Sequence, residues 1–299
     1  MAERRDPSLV VVAIGGHAVR GAGDELARTL GPLVELASRD YRLVLTHGHG
    51  TRPAGPPSPA GLDVAGAEGQ GAAGYAIQQA FDSLCRARGL AVSAATVVTR
   101  VVVDPADPAF AAPARPIGPF YTVAQARRLR RTRGWTLVAA GRRGWRRVVP
   151  APRPVRVVEA AAVGRLLVAG VVPIACGGGG IAVVESADGY AGVEALVEKD
   201  FSSEVLATAL GADRLLFLTD VEHAVVSFGT DRELAIERLT LREARALLGA
   251  GEFSPGSMGP KIEAGIRFVE AGGREAIVTV PSRARAALEG ETGTRVVPA

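Results

Sequence analysis

Short apolar runs rich in β-branched residues alternate along this chain with segments whose apolar side chains recur at helical spacing. The run at residues 9–14 (LVVVAI) predicts a strand, and the segment 24–38 places its leucines and valine on one face of a helix. The next run, 41–46, predicts a second strand, and a glycine-rich turn follows each of the two strands. This order of elements predicts a parallel α/β sheet with its binding loops at the carboxyl ends of the strands.

The same periodicities continue to the carboxyl end of the chain. They predict strands at 92–103, 171–175, 214–218 and 276–280, and a last strand that ends at 297. They predict helices at 72–88, 123–133, 158–169, about 200–210, 240–249 and 262–271, and one more helix before the last strand. Thr240 and Glu243 have the spacing of a capping box. Residues 120–155 contain the basic helix and a hairpin at 135–149, and we interpret them as an accessory excursion rather than an independent domain.

Three glycine-rich turns each follow a predicted strand, at 15–16, 48–50 and 177–180. One such turn carries little information, but the carboxyl ends of parallel strands meet at one edge of the sheet. Three converging turns therefore indicate a binding site. The sequence lacks the GxxxxGK[ST] pattern, and no GxGxxG opens a helix after the first strand. A P-loop nucleotidase is thus excluded, and a dinucleotide-binding fold is disfavoured.

Composition singles out two lysines as candidate functional residues. Of the 35 basic residues 33 are arginine, Lys199 and Lys261 are the two lysines, and the chain has no asparagine. A GC-rich genome explains the depletion but not where the lysines remain. Lys261 ends the glycine-rich stretch 251–261 at a predicted helix start, where free N–H groups suit phosphate oxygens, and Lys199 stands beside Asp200 at another. Because arginine cannot replace lysine as a compact point charge, we interpret the lysines as a pair that holds phosphate.

The histidines are informative by their location. His17, His47 and His49 fall in the first two glycine turns, and His223 follows the strand at 214–218. A zinc site is an alternative, but an HxH pattern without cysteine or carboxylate neighbours is weak evidence for a metal. We favour imidazole groups that donate hydrogen bonds to an oxyanion.

The overall composition fits a soluble globular protein with a net charge of +4. The arginines are dispersed apart from the dense run at 127–147, which we interpret as a solvated face or a local anion site rather than a nucleic-acid surface. Cys85 and Cys176 are too few for a disulfide framework, and we expect two buried thiols. Because the chain shows no apolar leader and no run of transmembrane length, we expect a cytoplasmic protein without a membrane partner.

Several longer stretches resemble the carbamate kinases of the amino acid kinase superfamily. The resemblance covers nearly the whole chain and rests on VVAIGGHA, THGHG, IACGGGGIAVVE, GVEALVEKDFSSEVLA, FLTDVE and GEFSPGSMGPKIEAGIRFVE. It implies a single domain built as a three-layer αβα sandwich, with an open, mainly parallel eight-stranded sheet and a small protruding lid subdomain at about 120–155. It further implies an acceptor lobe at 1–210, a nucleotide lobe at 211–299 and a homodimer.

The reaction implied by the resemblance is reversible, Mg²⁺-dependent phosphoryl transfer between ATP and carbamate, including ATP formation from carbamoyl phosphate and ADP, with a place in arginine metabolism. The nucleotide carries the Mg²⁺, so no protein metal site is expected. The residues that match the family's motifs form three groups: catalytic Lys199 and Lys261, with Arg127 where the family commonly has a lid lysine; phosphate- or substrate-binding Gly15, Gly16, His17, Gly48, His49, Gly50, Gly177, Gly178 and Gly179; and nucleotide-binding Asp200, Asp220, His223, Ser257 and Met258.

The chain departs from the family's usual pattern around the acceptor. GGHA and HGHG replace GGNA and HGNG, so that His17 and His49 stand where the family has asparagine, and EGQGAAGYA at 68–76 has smaller side chains than usual. We hypothesise that the two imidazoles donate to the phosphoryl group as the amides would. Two classes of function remain open, a kinase acting on carbamate or another small oxyanion and a non-catalytic nucleotide-binding relative. The retained lysines favour catalysis.

Overall fold

The structure is a computed structural model that describes residues 7–16, 24–38, 41–48 and 61–299. Its strands are β1 (Ser8–Ile14), β2 (Tyr41–His47), β3 (Ser93–Thr96), β4 (Arg100–Val103), β5 (Arg115–Tyr121), β6 (Leu137–Ala139), β7 (Trp145–Val149), β8 (Pro154–Val157), β9 (Val171–Ala175), β10 (Ile181–Ser186), β11 (Gly189–Gly192), β12 (Arg214–Leu218), β13 (Ala224–Val226), β14 (Leu234–Ile236), β15 (Arg238–Thr240), β16 (Glu275–Thr279) and β17 (Thr294–Val297). Its α-helices are α1 (Asp24–Ala37), α2 (Gly61–Ala87), α3 (Pro108–Ala111), α4 (Val123–Arg133), α5 (Ala160–Val168), α6 (Lys199–Ala209), α7 (Leu241–Gly249), α8 (Met258–Glu270) and α9 (Ala284–Glu289).

An eight-stranded sheet in the order β15-β17-β16-β12-β1-β2-β9-β3 forms the centre of the molecule. Its pairings are parallel except for that of β16 with β17. Both faces of β1 are buried: Val10 and Val12 pack in the core that contains α1 and α2, whereas Val11 and Ala13 pack in the core that contains α6 and α8. Because successive side chains of a strand point to opposite faces, such an apolar run requires helices on both sides of the sheet. The predicted three-layer αβα sandwich with a mainly parallel eight-stranded sheet is confirmed.

The order of the strands creates a crevice at one edge of this sheet. β1 pairs with β2 on one side and with β12 on the other. Strands that precede α6 in the sequence therefore lie on one side of β1, and strands that follow α6 lie on the other. In open α/β sheets, ligands bind outside the carboxyl ends of the strands at such a switch point. The Gly15 amide donates to the Leu218 carbonyl at 2.9 Å, and the Gly48 amide donates to the Ile14 carbonyl at 3.1 Å. These bonds hold the ends of β1, β2 and β12 together at the crevice.

Residues 115–149 form a smaller antiparallel sheet, in the order β5-β7-β6, with α4 packed against it. We call this segment the basic module, because it contains ten of the 35 basic residues and none of the 31 acidic ones. Helix α4 has the predicted bounds and begins with a capping box at Thr122 and Gln125. The hairpin predicted at 135–149 is also present, as β6 and β7.

The apolar run at 92–103 differs from its prediction, because it forms two strands in two different sheets. β3 joins the edge of the central sheet, whereas β4 belongs to a second sheet in the order β11-β10-β4-β8. The buried Gln70 side chain lies at the break, where it donates to the Thr99 carbonyl at 3.0 Å and accepts from the Thr99 amide at 2.8 Å. A side-chain amide thus satisfies the backbone that would otherwise need a neighbouring strand.

Helix α2 begins at Gly61, eleven residues before the predicted start at 72. The glycine-rich sequence at 61–71 has low helix propensity, so the sequence pattern did not predict the first turns of this helix. Packing overrides that propensity: a Cβ atom on Gly66 would contact Ile181, and one on Gly74 would overlap the side chain of Thr96. The missing side chains therefore let the helix approach β10 and β3 closely.

Other sequence expectations are also confirmed. Thr240 and Glu243 form the capping box of α7, and Cys85 and Cys176 are buried and unpaired. No helix in the described ranges has the length and apolar character needed to cross a membrane.

A buried charge cluster joins three neighbouring strands, and its removal is predicted to destabilise the sheet. Glu275 in β16 accepts from Arg214 Nε of β12 at 2.7 Å and from Arg295 Nη1 of β17 at 2.5 Å. We expect Glu275→Gln to lower the free energy of unfolding by about 2 kcal/mol at neutral pH, because both guanidinium groups lose their counter-charge. Urea denaturation, with the exposed Glu237→Gln as the matched control, measures the difference.

The same experiment has a defined pH dependence. Burial opposes ionisation of Glu275, but its two arginine partners hold the pKa of the folded protein below the ordinary 4.5. A lowered folded-state pKa contributes stability above the unfolded-state pKa, and that contribution is lost as the pH falls through the folded-state value. The difference between the wild-type protein and Glu275→Gln should therefore shrink on acidification. A difference that stays constant would contradict this assignment.

Candidate active site

Two lysines and one aspartate meet at the crevice. Lys199 is the first residue of α6, Lys261 lies in the first turn of α8, and Asp200 stands between their side chains. The Lys199 ammonium pairs with Asp200 Oδ1, and Lys261 Nζ lies 3.3 Å from Asp200 Oδ2. The three side chains are 8 to 12 % exposed. The sequence prediction that the lysines form a pair thus has a structural counterpart, since one carboxylate joins them across 61 residues.

The cluster carries a net positive charge in a dry environment. Burial lowers the pKa of Lys199 below its ordinary 10.5, even though Asp200 favours the ammonium form, and the Lys261 charge lowers it further. Burial alone would raise the pKa of Asp200, but the two ammonium groups hold it below its usual range. One carboxylate does not neutralise two buried ammonium groups, and an uncompensated buried charge is costly. An anion bound beside the lysines would complete the balance.

Hydroxyl groups fix the start of α6 against the strand ends. Ser202 Oγ donates to the Gly179 carbonyl at 2.6 Å, and Ser203 Oγ donates to the Lys199 carbonyl at 2.7 Å. Ser203 Oγ also lies 2.6 Å from Thr46 Oγ1 near the end of β2. All three hydroxyl groups are buried, so these bonds are shielded from water. They set the position of Lys199 relative to the glycine turns.

The stretch 251–261 forms the entry to α8, as predicted. The helix begins at Met258, Pro260 lies in its first turn, and the Gly259 amide donates to the Ser254 carbonyl at 2.8 Å. A Cβ atom on Gly259 would lie 3.0 Å from that carbonyl oxygen, so glycine permits the close turn. Lys261 Nζ donates to the Ser257 carbonyl at 3.2 Å, which directs the ammonium group back toward the helix start.

The three glycine turns converge on Lys199. A Cβ atom on Gly48 would lie 3.0 Å from Gly16 and 3.5 Å from the Lys199 side chain. Gly177–Gly179 form a 3-10 turn in which Gly178 and Gly179 have φ values of 65° and 98°. A Cβ atom on Gly179 would overlap the Val197 carbonyl, just before Lys199. Only glycine allows the backbone of this turn to lie so close to the segment that leads into α6.

His47 is buried at the floor of the crevice. Its Nδ1 donates to the Gly48 carbonyl at 2.9 Å, and a Cβ atom on Gly177 would lie 2.5 Å from its Nε2. Burial lowers the pKa of His47 below the ordinary 6.5, and the nearby Lys199 charge acts in the same direction. The ring is therefore neutral at physiological pH, with its proton on Nδ1.

Two buried polar atoms without partners mark the other side of the crevice. Thr279 Oγ1, at the end of β16, and His223 Nδ1 have no hydrogen bond, although each atom is buried. Residues 292–293 link them, because His223 Nε2 lies 3.4 Å from Thr292 Oγ1 and a Cβ atom on Gly293 would lie 3.3 Å from Thr279. Buried polar groups are rarely left unpaired in native proteins, so these two atoms are unusual features of this side of the sheet.

The structure brings most of the sequence-predicted site residues to one edge of the sheet. The glycines at 15, 16, 48 and 177–179 lie there with Lys199, Asp200, Ser257 and Lys261. Met258 begins α8, and Asp220 is exposed and accepts from Thr219 at 3.0 Å. Arg127 is exposed on α4 of the basic module. His17, His49 and Gly50 lie outside the described residues.

Sequence reasoning missed the roles of several side chains. It grouped Asp200 with the nucleotide and did not recognise it as the shared partner of both lysines. It also passed over Ser202 and Ser203, although two hydroxyl residues one turn after Lys199 would have signalled a helix start fixed to its surroundings. The contact between Lys261 and Asp200 spans the chain, and no local pattern reports it.

The arrangement suits stabilisation of negative charge on a transferring group. It offers two ammonium groups on rigid helices, backbone turns at strand ends and a largely dry setting, which together strengthen electrostatic interactions. Among the described residues, no group of three or more His, Cys, Asp or Glu side chains could hold a metal ion.

Comparisons with known proteins agree with this geometry. The model of the amino acid kinase family matches residues 8–279. The carbamate kinase of Pyrococcus horikoshii is 41 % identical over 318 aligned positions, which cover 98 % of this chain and 100 % of that protein. The carbamate kinase of Pyrococcus furiosus is 41 % identical, covering 97 % of this chain and 99 % of that protein. The structure of carbamate kinase from Giardia lamblia bound to AMP-PNP superposes with a TM-score of 0.92 at 34 % identity, covering 98 % and 99 % of the two chains.

Removal of the shared carboxylate tests the charge balance of the cluster. We expect Asp200→Asn to lower the free energy of unfolding by about 3 kcal/mol, because two buried ammonium groups lose their counter-charge. Inorganic phosphate should then raise the melting temperature of this variant more than that of the wild-type protein, since the anion takes the place of the carboxylate.

The matched control for this experiment lies one turn further along α6. Glu204 is also buried and pairs with Arg267 of α8 at 3.1 Å, outside the lysine cluster. Glu204→Gln should lose stability without any increased response to phosphate. Equal phosphate responses in the two variants would contradict a net positive site around Asp200.

Proposed function

Because this chain belongs to the amino acid kinase family, within its carbamate kinase branch, we propose that it catalyses reversible phosphoryl transfer between ATP and carbamate. In one direction, ADP takes the phosphoryl group of carbamoyl phosphate, and carbamate leaves. The observation that carries the proposal is the buried pair of lysines that share Asp200 at the switch point of the sheet. Such a cluster is suited to a phosphoryl group, whose charge is spread over three oxygens during transfer.

The roles of the residues follow from their positions. One P–O bond breaks at the donor and another forms at the acceptor, and no group on the protein needs to become covalently modified. Lys199 and Lys261 neutralise the oxygens of the transferring group, while the missing side chains of Gly16 and Gly48 leave room for it beside Lys199. Asp200 holds the two ammonium groups in place between turnovers. Neither acceptor oxygen requires a general base, because both carbamate and ADP are already anionic.

The nucleotide is proposed to bind over the ends of β12 and β16. Asp220 is exposed just after β12, and His223, Ser257 and Met258 are the other sequence-predicted nucleotide residues on that side. Mg²⁺ would arrive on the phosphates of the nucleotide and supply further neutralising charge. Residues of this chain would then orient the nucleotide and exclude water from the lysine cluster.

The basic module is proposed to be the lid of the acceptor site. Its ten arginines attract an anionic substrate, and its stem is joined to the segment that precedes Lys199. Arg127 would reach the phosphate from α4 only when the module closes. The division into an acceptor lobe and a nucleotide lobe, the homodimer and the cytoplasmic location remain predictions.

A second candidate is a kinase for another small oxyanion acceptor. The smaller residues at 68–76 are one difference from the family: Thr96 fills the space beside Gly74, and Gly69 and Gly71 are exposed on α2. His17 and His49, in place of the asparagines of the family, are the other difference. A non-catalytic role is disfavoured, because nucleotide binding alone would not require two buried lysines.

The direct test is ATP formation from ADP, Mg²⁺ and carbamoyl phosphate by the purified protein. We expect turnover that disappears in Lys261→Ala and falls by about 10²- to 10³-fold in Lys199→Arg and Lys261→Arg, because a guanidinium group cannot occupy the position of an ammonium group in a tight charge cluster. Arg267→Lys, on the same helix as Lys261 but outside the cluster, should retain near wild-type turnover.

The outcomes separate the candidates. Absence of turnover with intact ADP binding would overturn carbamate as the acceptor and direct the search to other oxyanions. Wild-type turnover in either lysine-to-arginine variant would overturn the phosphate-binding role of that lysine.

The lowered pKa of Lys199 predicts the alkaline limb of the pH profile. Activity needs the ammonium form, so kcat/KM should fall as the pH rises through the pKa of the free enzyme, which lies below the ordinary 10.5. A bound phosphate stabilises the ammonium group, so the limb of kcat should lie at higher pH than that of kcat/KM. If kcat and kcat/KM fall at the same alkaline pH, the result would count against this role. A fall of kcat/KM only at or above the ordinary pKa of lysine would do the same.

A further inference from the structure

The segment Val193–Glu198 sets the position of Lys199, because it leads directly into α6 without regular secondary structure. Few backbone hydrogen bonds hold it: the Val193 amide donates to the Ala182 carbonyl at 3.1 Å, and the Leu196 amide donates to the Pro150 carbonyl at 3.0 Å. An irregular segment takes its shape from what lies on either side.

On its inner side, the segment rests on the third glycine turn. The Val197 carbonyl approaches Gly179 so closely that no Cβ atom would fit, and Ala195 and Val197 are buried. This contact limits movement of the segment toward the sheet. Its position in the other directions depends on its outer side.

On its outer side, the segment is held by the basic module. Glu194 and Glu198 form ion pairs with Arg147 of β7 and Arg115 of β5, and Pro150 follows β7 directly. The two glutamates flank the segment, so the module holds it at both ends. Each pair joins a residue near Lys199 to a strand at the base of the module.

Glu194 makes the more informative of these two contacts, because its two oxygens hold different elements. One oxygen pairs with Arg147, and the other accepts from the Leu62 amide at 2.8 Å in the first turn of α2. The Arg147 side chain is 10 % exposed and lies over the ring of Trp135 at 4.0 Å, so its charge has little access to water. Glu194 is therefore the counter-charge of a buried arginine and a link between three elements.

We propose that Glu194 is a positioning residue that couples the docking of the basic module to the placement of Lys199. This inference rests on the proposed function, since it explains how closure of the module over the acceptor would bring the lysine into its working position. When the module docks, Arg147 meets Glu194, and the carboxylate fixes both the segment before Lys199 and the start of α2. When it undocks, both lose this support.

The Glu194 side chain is 55 % exposed, so its loss should cost less stability than loss of the buried Glu275 carboxylate, which is 9 % exposed. Its importance lies in geometry. Phosphoryl transfer depends on groups placed within fractions of an ångström, and a small displacement lowers the rate strongly with little effect on folding. Loss of Glu194 should therefore affect kcat more than stability.

The chain contains a built-in reporter for this coupling. Its two tryptophans, Trp135 and Trp145, both lie in the basic module, and Arg147 covers the ring of Trp135. Tryptophan fluorescence, excited at a wavelength that tyrosine does not absorb, therefore reports on the module alone. In Glu194→Gln, the fluorescence should shift because Arg147 loses its carboxylate partner. The matched control is Glu185→Gln, a glutamate of similar exposure whose partner Arg156 lies at 2.7 Å, away from the module.

Kinetics with carbamoyl phosphate and ADP provide the first arm of the test. We expect Glu194→Gln to lower kcat by about tenfold or more with little change in the KM for ADP or in the melting temperature. The double variant Glu194→Gln with Arg147→Met should lose about as much as either single variant, since the two side chains act as one unit. A kcat like that of Glu185→Gln, or losses that multiply in the double variant, would overturn the proposal.

Amide hydrogen exchange provides a second arm that does not depend on the substrate. Exchange across residues 196–203 should be faster in Glu194→Gln than in the wild-type protein and unchanged in Glu185→Gln. Unchanged exchange in Glu194→Gln would overturn the coupling whatever the enzyme phosphorylates. If the wild-type protein forms no ATP while the exchange difference is present, the proposed acceptor is wrong and the positioning role of Glu194 stands.

Discussion

A buried excess of positive charge is the constraint on which the rest of this structure depends. Lys199 and Lys261 lie in the protein interior with one carboxylate between them, and a single negative charge leaves the cluster cationic. Such a cluster is stable only if the surrounding structure holds it in place and an anion binds to it. The fold meets the first condition by placing both lysines in the first turns of helices that pack against each other and against the same sheet.

The support for the cluster comes in layers of decreasing rigidity. Closest to the sheet, the buried hydroxyl groups of Thr46, Ser202 and Ser203 fix α6 to the strand ends, and Glu204 joins α6 to Arg267 of α8. Farther out, partly exposed ion pairs join the approach to α6 to the basic module. The buried bonds resist water and hold one geometry, whereas the exposed pairs form and break easily. The lysine cluster therefore has a firmly held base, whereas its contact with the basic module relies on partly exposed ion pairs.

Local patterns predicted much of this fold, and long-range contacts explain what they missed. The apolar run of β1, the basic helix α4 and the capping box of α7 each depend on neighbouring residues, so the sequence alone sufficed. The break at Thr99 depends on Gln70 from another element, and the glycine-rich start of α2 depends on close packing against β10 and β3. In the site, the rarity of lysine indicated the pair. The shared role of Asp200 depends on a contact with a residue 61 positions away.

The location of the two cysteines has a practical consequence. Burial raises the pKa of both Cys85 and Cys176, so each thiol stays protonated and enclosed. Alkylating reagents, oxidants and soft metal ions attack the exposed thiolate, and the native chain offers none under ordinary conditions. A single cysteine introduced on the surface of the basic module would therefore be the one reactive thiol in the molecule. A fluorescent dye attached there would report on the surroundings of the module without replacement of either native cysteine.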